Sequence, residues 1–143
     1  MPVGSAPSSV ERQASRLLSS AQILAINSTP LELAPAPPAG SMLMVTACVY
    51  RLNYGGTAYA VNTQLRLIYH GTTQELGVSN VNFLAQTVDT INIDSQTAEW
   101  FGTDQLFSNL SGKAIDVSAE TGNPTLGNGT VFVWITYYVV PLA

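Results

Sequence analysis

Charged side chains are scarce in this chain. They make up 10% of its 143 residues, whereas about 25% is usual in a soluble domain. Five Lys and Arg residues are outnumbered by nine Asp and Glu residues, so the formal net charge is -4. Because the chain has no basic patch to neutralise phosphates, nucleic acid is disfavoured as a partner. A surface this poor in charge is typical of a protein that is largely buried in an assembly.

Residues that form disulfides or bind metals are also few. Cys48 is the only cysteine, so no intrachain disulfide can form and a cysteine-rich zinc site is excluded. It lies in an apolar run, which favours a buried structural thiol over a nucleophile. His70 is the only histidine and is expected to be a solvent-facing turn residue. We predict no cofactor, with calcium on a symmetry axis as an open alternative.

Catalytic and membrane motifs are missing as well. The chain has no Gly-x-Ser-x-Gly elbow and no phosphate-binding loop, so we expect a protein that is not an enzyme. A pair of carboxylates acting on a polysaccharide is the weaker alternative. No apolar stretch reaches the roughly 18 residues that a membrane-spanning helix needs, and the N-terminus lacks the layout of a secretory signal. We expect a soluble product, made in the cytoplasm, with no membrane partner.

The chain is rich in β-branched and aromatic residues, above all near its C-terminus. Residues 127–140 join the turn signal Gly-Asn-Gly to the run Thr-Val-Phe-Val-Trp-Ile-Thr-Tyr-Tyr-Val-Val, which predicts a long final strand. Both alternating faces of this strand are largely apolar, so each must be covered. We predict that one face packs in the core. The other is predicted to form a subunit interface through Val133, Ile135, Tyr137 and Val139.

Further strands are predicted along the chain. They fall at residues 22–27, 31–34, 42–52, 64–69, 81–84, 90–93 and 114–117, with turns rich in Gly, Asn and Thr between them. Short strands at intervals of roughly 8 to 12 residues predict an all-β fold, here an antiparallel, jelly-roll-like β-sandwich. Residues 35–40 are Pro-rich and are predicted to form a stiff connector. Residues 97–112 fit a helical turn and a short strand equally well.

The first twenty residues are predicted to be an extended N-terminal arm, ahead of a single β domain at residues 21–143. Ser8 and Glu11 fit a capping box, and an apolar side would follow on a short helix, with Val10, Ala14, Leu17 and Leu18. Such an arm could dock on a neighbouring chain, and a frayed tail is the alternative.

Aromatic residues suggest a second kind of partner. Tyr54 and Tyr59 flank the Gly55-Gly56 turn, where their rings could stack on sugars. Packing in the core or in a subunit interface is the competing interpretation.

Several of these segments together resemble small jelly-roll proteins of tailed bacteriophage virions. The resemblance covers roughly residues 21–140. It depends on turns and strands in a particular order: residues 23–33, the connector 35–40, Tyr-Gly-Gly-Thr-Ala-Tyr at 54–59, Leu-Arg-Leu-Ile-Tyr-His-Gly at 65–71, and the C-terminal run. It implies proteins that are often trimeric and that serve as capsid cement or as parts of tails. It transfers no catalytic residue.

The functional prediction combines this resemblance with the low charge and the apolar arm. We predict a homotrimeric capsid decoration (cement) protein on the virion surface, which stabilises junctions between subunits of the major capsid protein. Val10, Leu17 and Leu18 would anchor the arm on the capsid. The alternative is a tail-associated or receptor-binding module that recognises host surface glycans through Tyr54 and Tyr59.

Overall fold

The computed structural model describes residues 10–94 and 106–142, and within them strands joined by short turns predominate. The helical elements are α1 (Ser20–Ile23), α2 (Phe107–Leu110) and a 3₁₀ turn (Phe83–Ala85). The strands are β1 Arg12–Leu18, β2 Leu31–Ala34, β3 Ser41–Asn53, β4 Tyr59–Ala60, β5 Leu65–Tyr69, β6 Glu75–Val78, β7 Thr90–Asp94, β8 Ile115–Ala119, β9 Thr125–Leu126 and β10 Thr130–Pro141.

The eight longer strands pair in a nested order. β1 pairs with β10, β2 with β8, β3 with β7 and β5 with β6, always antiparallel. Successive pairs alternate between two four-stranded sheets: sheet A has the order β1-β10-β3-β7, and sheet B has the order β2-β8-β5-β6. A long hairpin wound into two facing sheets in this way is a jelly roll. The predicted all-β, jelly-roll-like sandwich is therefore confirmed.

The core lies between the two sheets and is crossed by two tyrosines. The hydroxyl of Tyr50, on sheet A, donates to the Gly77 carbonyl on sheet B at 3.2 Å. In the opposite sense, the hydroxyl of Tyr69, on sheet B, donates to the Leu43 carbonyl on sheet A at 2.6 Å. Both side chains are fully buried, so each ring contributes apolar area while its polar tip keeps a partner.

The N-terminal segment differs from the predicted helical arm. Residues 12–18 form β1, which pairs with β10 from Arg12 opposite Tyr137 to Leu18 opposite Val131. The helix comes later, where Ser19 and Gln22 form the capping box that begins α1. An isolated helix of this length is marginal in water, whereas the edge of β10 offers backbone hydrogen bonds along the whole segment. Ser8, the predicted cap, lies outside the described residues.

Most of the predicted strands are present, and two are wrong. Residues 22–27 form α1 and a turn, because the Ser19 cap starts a helix there. Residues 81–84 lead into the 3₁₀ turn, where Phe83 and Leu84 are both buried, so the alternation of a strand is broken. The sequence did not predict β6. In the ambiguous region, α2 occupies Phe107–Leu110, and residues 97–105 lie outside the described part.

A tight contact orders the loop before the last strand. Gly127 has φ +74°, and a Cβ atom there would lie 2.3 Å from the ring of Tyr59. The Tyr59 hydroxyl donates to the Gly129 carbonyl at 2.6 Å, and β4 pairs with β9 beside it. Glycine at position 127 is therefore required both by backbone conformation and by space.

Candidate interaction surface

The outward face of sheet A is an almost continuous apolar surface. Cross-strand register places Leu17, Phe132, Arg51 and Ile91 in one row, and Ser15, Trp134, Val49 and Ile93 in the next. Towards the other end of β10, Tyr138 lies opposite Met44 and Val140 lies opposite Met42. We call the part of this face on β10 and β3 the central stripe, with members Phe132, Trp134, Tyr138, Val140, Val49, Met44 and Met42.

Side-chain exposure varies across this face. The aromatic residues of the central stripe are half-buried. The most exposed apolar side chains lie at the two edges of the sheet: Leu17 is 59% exposed on β1, and Ile91 and Ile93 are 60% and 68% exposed on β7. Contiguous apolar surface of this kind marks an interaction site on a soluble protein.

Two charges lie on the face: Glu11, whose carboxylate is 3.4 Å from the Thr46 hydroxyl, and Arg51, which an aromatic ring accommodates. The guanidinium carbon of Arg51 lies 5.2 Å from the centroid of the Phe132 ring, which is a cation–π distance. Beyond it, a β-bulge shifts the β3–β10 register between Thr136 and Tyr137. At the bulge, Thr46 and Thr136 share a hydroxyl–hydroxyl hydrogen bond of 2.7 Å. Arg51, Thr46 and Thr136 therefore already have partners within the chain, and a partner of this face would meet mainly apolar side chains.

The structure corrects the predicted subunit interface, because the strand turns its other face outward. Val133, Ile135 and Tyr137 point into the sandwich and are 0%, 0% and 5% exposed. Val139 is partly buried and packs against the core. A neighbouring subunit cannot reach the three buried residues while the sandwich is closed. The outward set on β10 is Phe132, Trp134, Thr136, Tyr138 and Val140.

The predicted arm residues separate in the same way. Val10 and Leu17 are 67% and 59% exposed, whereas Leu18 is fully buried. Adjacent residues of a strand point to opposite faces, so Leu18 enters the core where a helix would have placed it beside Leu17. Leu18 is therefore corrected to a core residue, and Val10 and Leu17 remain available for contact.

The predicted glycan pair is not a pair of exposed rings. Tyr59 is 3% exposed and packs on Gly127. The prediction that it belongs to a sugar site is therefore corrected, because Tyr59 is a structural residue. Tyr54 is half-buried; its hydroxyl donates to the Gly56 carbonyl at 2.7 Å, and its backbone N–H donates to the Asp89 carboxylate at 2.8 Å. The turn is held by these bonds, and only one of its two rings reaches the surface.

Several titratable groups are buried and neutral. Burial raises the pKa of Cys48 from 9.0 to about 12 and that of Tyr59 from 10.0 to about 12. Burial also raises the pKa values of Tyr50 and Tyr69. A thiol held in its protonated form is a poor nucleophile, so Cys48 acts as a packing residue.

His70 has a carboxylate partner that the sequence did not indicate. Its Nδ1 lies 2.6 Å from Asp116 Oδ2, with the His70 side chain 69% exposed and the Asp116 side chain 4% exposed. The two residues lie 46 positions apart and meet because β5 and β8 are neighbours in sheet B. The bond holds one side of the turn after β5 against the buried acid.

A cleft of about 460 Å³ opens between the ends of β6 and β7. Its polar side chains satisfy nearby backbone groups: Asn92 Oδ1 accepts from the Asn80 N–H, and Asp94 Oδ2 accepts from the Val78 N–H. Between the start of β5 and the end of β6, the Gln64 amide donates to the Ser79 carbonyl at 2.8 Å. These bonds close this side of the sandwich, which explains the polar lining without a ligand.

Two kinds of site are absent from the part of the chain that the structure describes. Within residues 10–94 and 106–142, no three His, Cys, Asp or Glu side chains converge as metal ligands would. Over the same residues, no helix has the length and apolar character needed to cross a membrane.

Comparisons with known proteins came from solved structures alone, because no protein-family model and no curated protein matches the chain. It is similar to a chain of the cyanophage Pam1 capsid asymmetric unit, with 14% identity, a TM-score of 0.48, and coverage of 96% of this chain and 90% of that one. A chain of the acid-stable capsid of Helicobacter pylori bacteriophage KHP30 matches at 14% identity and a TM-score of 0.43, covering 92% of each. A chain of the Ralstonia phage GP4 capsid matches at 10% identity and a TM-score of 0.40, covering 96% and 88%. The function proposed below rests on the surface of the chain itself.

Proposed function

We propose that this chain is a structural protein of a bacteriophage virion, namely a homotrimeric capsid decoration (cement) protein that covers junctions between major capsid subunits. The observation that carries this proposal is the central stripe, an apolar, nearly uncharged surface on the outward face of sheet A. The role requires no catalytic step and no cofactor. It requires a rigid domain with a flat adhesive face, and a jelly roll supplies both.

The size of the stripe favours several copies acting together. It runs about 27 Å along β10 from Phe132 to Val140 and is about 10 Å wide across two strands. A footprint of about 300 Å² contributes about 7 kcal/mol of apolar burial at 25 cal/mol per Å². Association costs about 4 to 15 kcal/mol, so one face alone binds weakly. Three linked faces raise the overall affinity by making the second and third contacts intramolecular.

The composition of the surface agrees with a capsid partner. A cement protein lies between shell subunits, where unpaired charge is costly to bury. Only 10% of the chain is charged. Of the two charges on the face, Arg51 already lies over the Phe132 ring, and the Glu11 carboxylate lies 3.4 Å from the Thr46 hydroxyl. Attachment is therefore expected to depend weakly on salt.

The test is binding of purified protein to capsids that lack it, followed by cryo-electron microscopy of the decorated particles. Trp134→Asp places a charge in the middle of the central stripe, and we expect it to reduce capsid occupancy at least tenfold. Leu126→Asp is the matched control, since Leu126 is 67% exposed on β9 and away from sheet A. Equal occupancy by the two variants, or density confined to the tail of the native virion, would contradict the proposal.

A further inference from the structure

The two edges of sheet A carry exposed apolar side chains that the central stripe does not account for. Among residues 10–94 and 106–142, β1 and β7 are the edge strands of sheet A, and each pairs there on one side only. The β1 rim presents Val10 and Leu17, and the β7 rim presents Val88, Ile91 and Ile93, all between 59% and 68% exposed. Exposed apolar edges promote association with other chains unless they are covered.

The net charges on the two rims have opposite signs. β1 contains Arg12 and Arg16, with Glu11 directly before it, so this rim has two bases and one acid. β7 contains Asp94, with Asp89 directly before it, so this rim has two acids and no base. Glu11, which precedes β1, lies with its carboxylate 3.4 Å from the Thr46 hydroxyl. A contact between two β1 rims would place Arg beside Arg, and a contact between two β7 rims would place Asp beside Asp. A β1 rim against a β7 rim pairs opposite charges.

Strand direction agrees with the charges. β1 is antiparallel to β10, β10 to β3, and β3 to β7, so the two edges of sheet A run in opposite directions. When copies stand side by side in the same orientation, β1 of one is therefore antiparallel to β7 of the next. Antiparallel neighbours are the commoner and slightly more stable arrangement of strands.

We propose that copies of this chain join head to tail through these two rims, with β1 of one copy beside β7 of the next. A contact between two different surfaces repeats from copy to copy and closes into a ring when the rotation allows it. The inference rests on the homotrimer of the proposed function and names the contact that builds it. The rims hold the ring together, and the central stripes of its members are left for the capsid.

The first test is the oligomeric state of the purified protein, measured by size-exclusion chromatography with light scattering over a range of concentrations. We expect a trimer for the native chain. Leu17→Asp on the β1 rim and Ile93→Asp on the β7 rim should each raise the dissociation constant at least tenfold. Val61→Asp is the control, since Val61 is exposed to the same 59% as Leu17 and lies outside sheet A. Circular dichroism and thermal melting establish that each variant is folded.

Charge reversal tests the head-to-tail arrangement itself. In the antiparallel contact the end of β1 lies beside the start of β7, which brings Arg16 near Asp89 of the next copy. Arg16→Glu and Asp89→Arg should each weaken the trimer, and the chain that carries both changes should regain it, because opposite charges again meet there. Asp89→Asn keeps an acceptor for the Tyr54 N–H and removes only the charge. It therefore separates the effect of the charge from that of the local structure. We expect it to weaken the trimer less than Asp89→Arg. A trimer that survives Leu17→Asp, or a double reversal weaker than both single changes, would overturn the proposal.

The ring and the capsid site can fail independently. Suppose that the native protein is a trimer that depends on both rims but shows no density on the capsid. This result would support the ring and reject the cement role. The opposite result is a protein that is monomeric in solution and still occupies the capsid, with an occupancy that Leu17→Asp does not change. This result would reject the ring and keep the cement role.

Discussion

Leu17 and Leu18 are adjacent leucines in opposite environments, and alanine at each position tests the strand that holds them. Leu18 is fully buried in the core, and Leu17 is 59% exposed. A buried Leu→Ala change removes apolar contacts and leaves a cavity, at a cost of about 3 kcal/mol when an edge strand can partly relax. A substitution at an exposed position away from such features lowers the free energy of unfolding by less than about 0.5 kcal/mol. For a domain of this size, Leu18→Ala should lower the melting temperature by about 10 °C.

The assay is urea unfolding followed by tryptophan fluorescence. Trp134 reports on this region, since it lies opposite Ser15 of β1. Because an oligomer unfolds at a midpoint that depends on concentration, each variant is measured at several protein concentrations. The change of the urea midpoint with protein concentration is then compared between the variants. Leu18→Ala should lower the free energy of unfolding of the subunit, whereas Leu17→Ala should change mainly the concentration dependence. Equal losses of unfolding free energy for the two variants would refute the conclusion that this segment is a strand, because a helix would place both side chains on one side.

Three further predictions concern the interior. Gly127→Ala should destabilise the fold by more than about 2 kcal/mol, since it combines a positive φ with a Cβ that overlaps the Tyr59 ring; an unchanged melting temperature would contradict this. Tyr59→Phe should cost about 1 to 2 kcal/mol in urea unfolding, because the Gly129 carbonyl loses its 2.6 Å donor, and a loss as small as that of Tyr54→Phe would argue against it. Burial raises the pKa values of Cys48 and Tyr59 to about 12, so the unfolded chain releases these protons at lower pH than the folded one. Their contribution to stability is full below about pH 9 and is lost as the pH rises towards 12; a urea midpoint that stays constant up to pH 11 would count against this.

Local sequence was sufficient to predict the class of fold and most of its strands. Residues 42–52 are a largely apolar run, and residues 130–140 are a β-branched and aromatic run. The structure extends them by one residue or less at each end, as Ser41–Asn53 and Thr130–Pro141. Glycine and asparagine turns separate such runs at the spacing of a sandwich. These signals are local, since they depend on the pleat of a strand and on backbone conformations that few residues adopt.

The outward side of the last strand could be decided only by the tertiary structure. Both alternating sets of β10 are apolar, so hydrophobicity does not distinguish Val133 and Ile135 from Phe132 and Trp134. The choice follows from pairing: Ile135 lies opposite Cys48, and Val133 lies opposite Tyr50, which points across the core to sheet B. A strand shifted by one residue would reverse every side chain, and the pairing partners lie more than 80 residues away.

The N-terminal segment shows the same division between local and distant causes. The spacing of Val10, Ala14, Leu17 and Leu18 matches a helix, but β10 offers a free edge to which residues 12–18 bind along their full length. The sequence therefore showed that the segment is partly apolar. It did not show which of its side chains point into the core. The local pattern determined that both faces of residues 130–140 are largely apolar and must each be covered. The pairing of distant strands determined which residues remain outside, because each strand has two faces and only its neighbours decide which one turns inward.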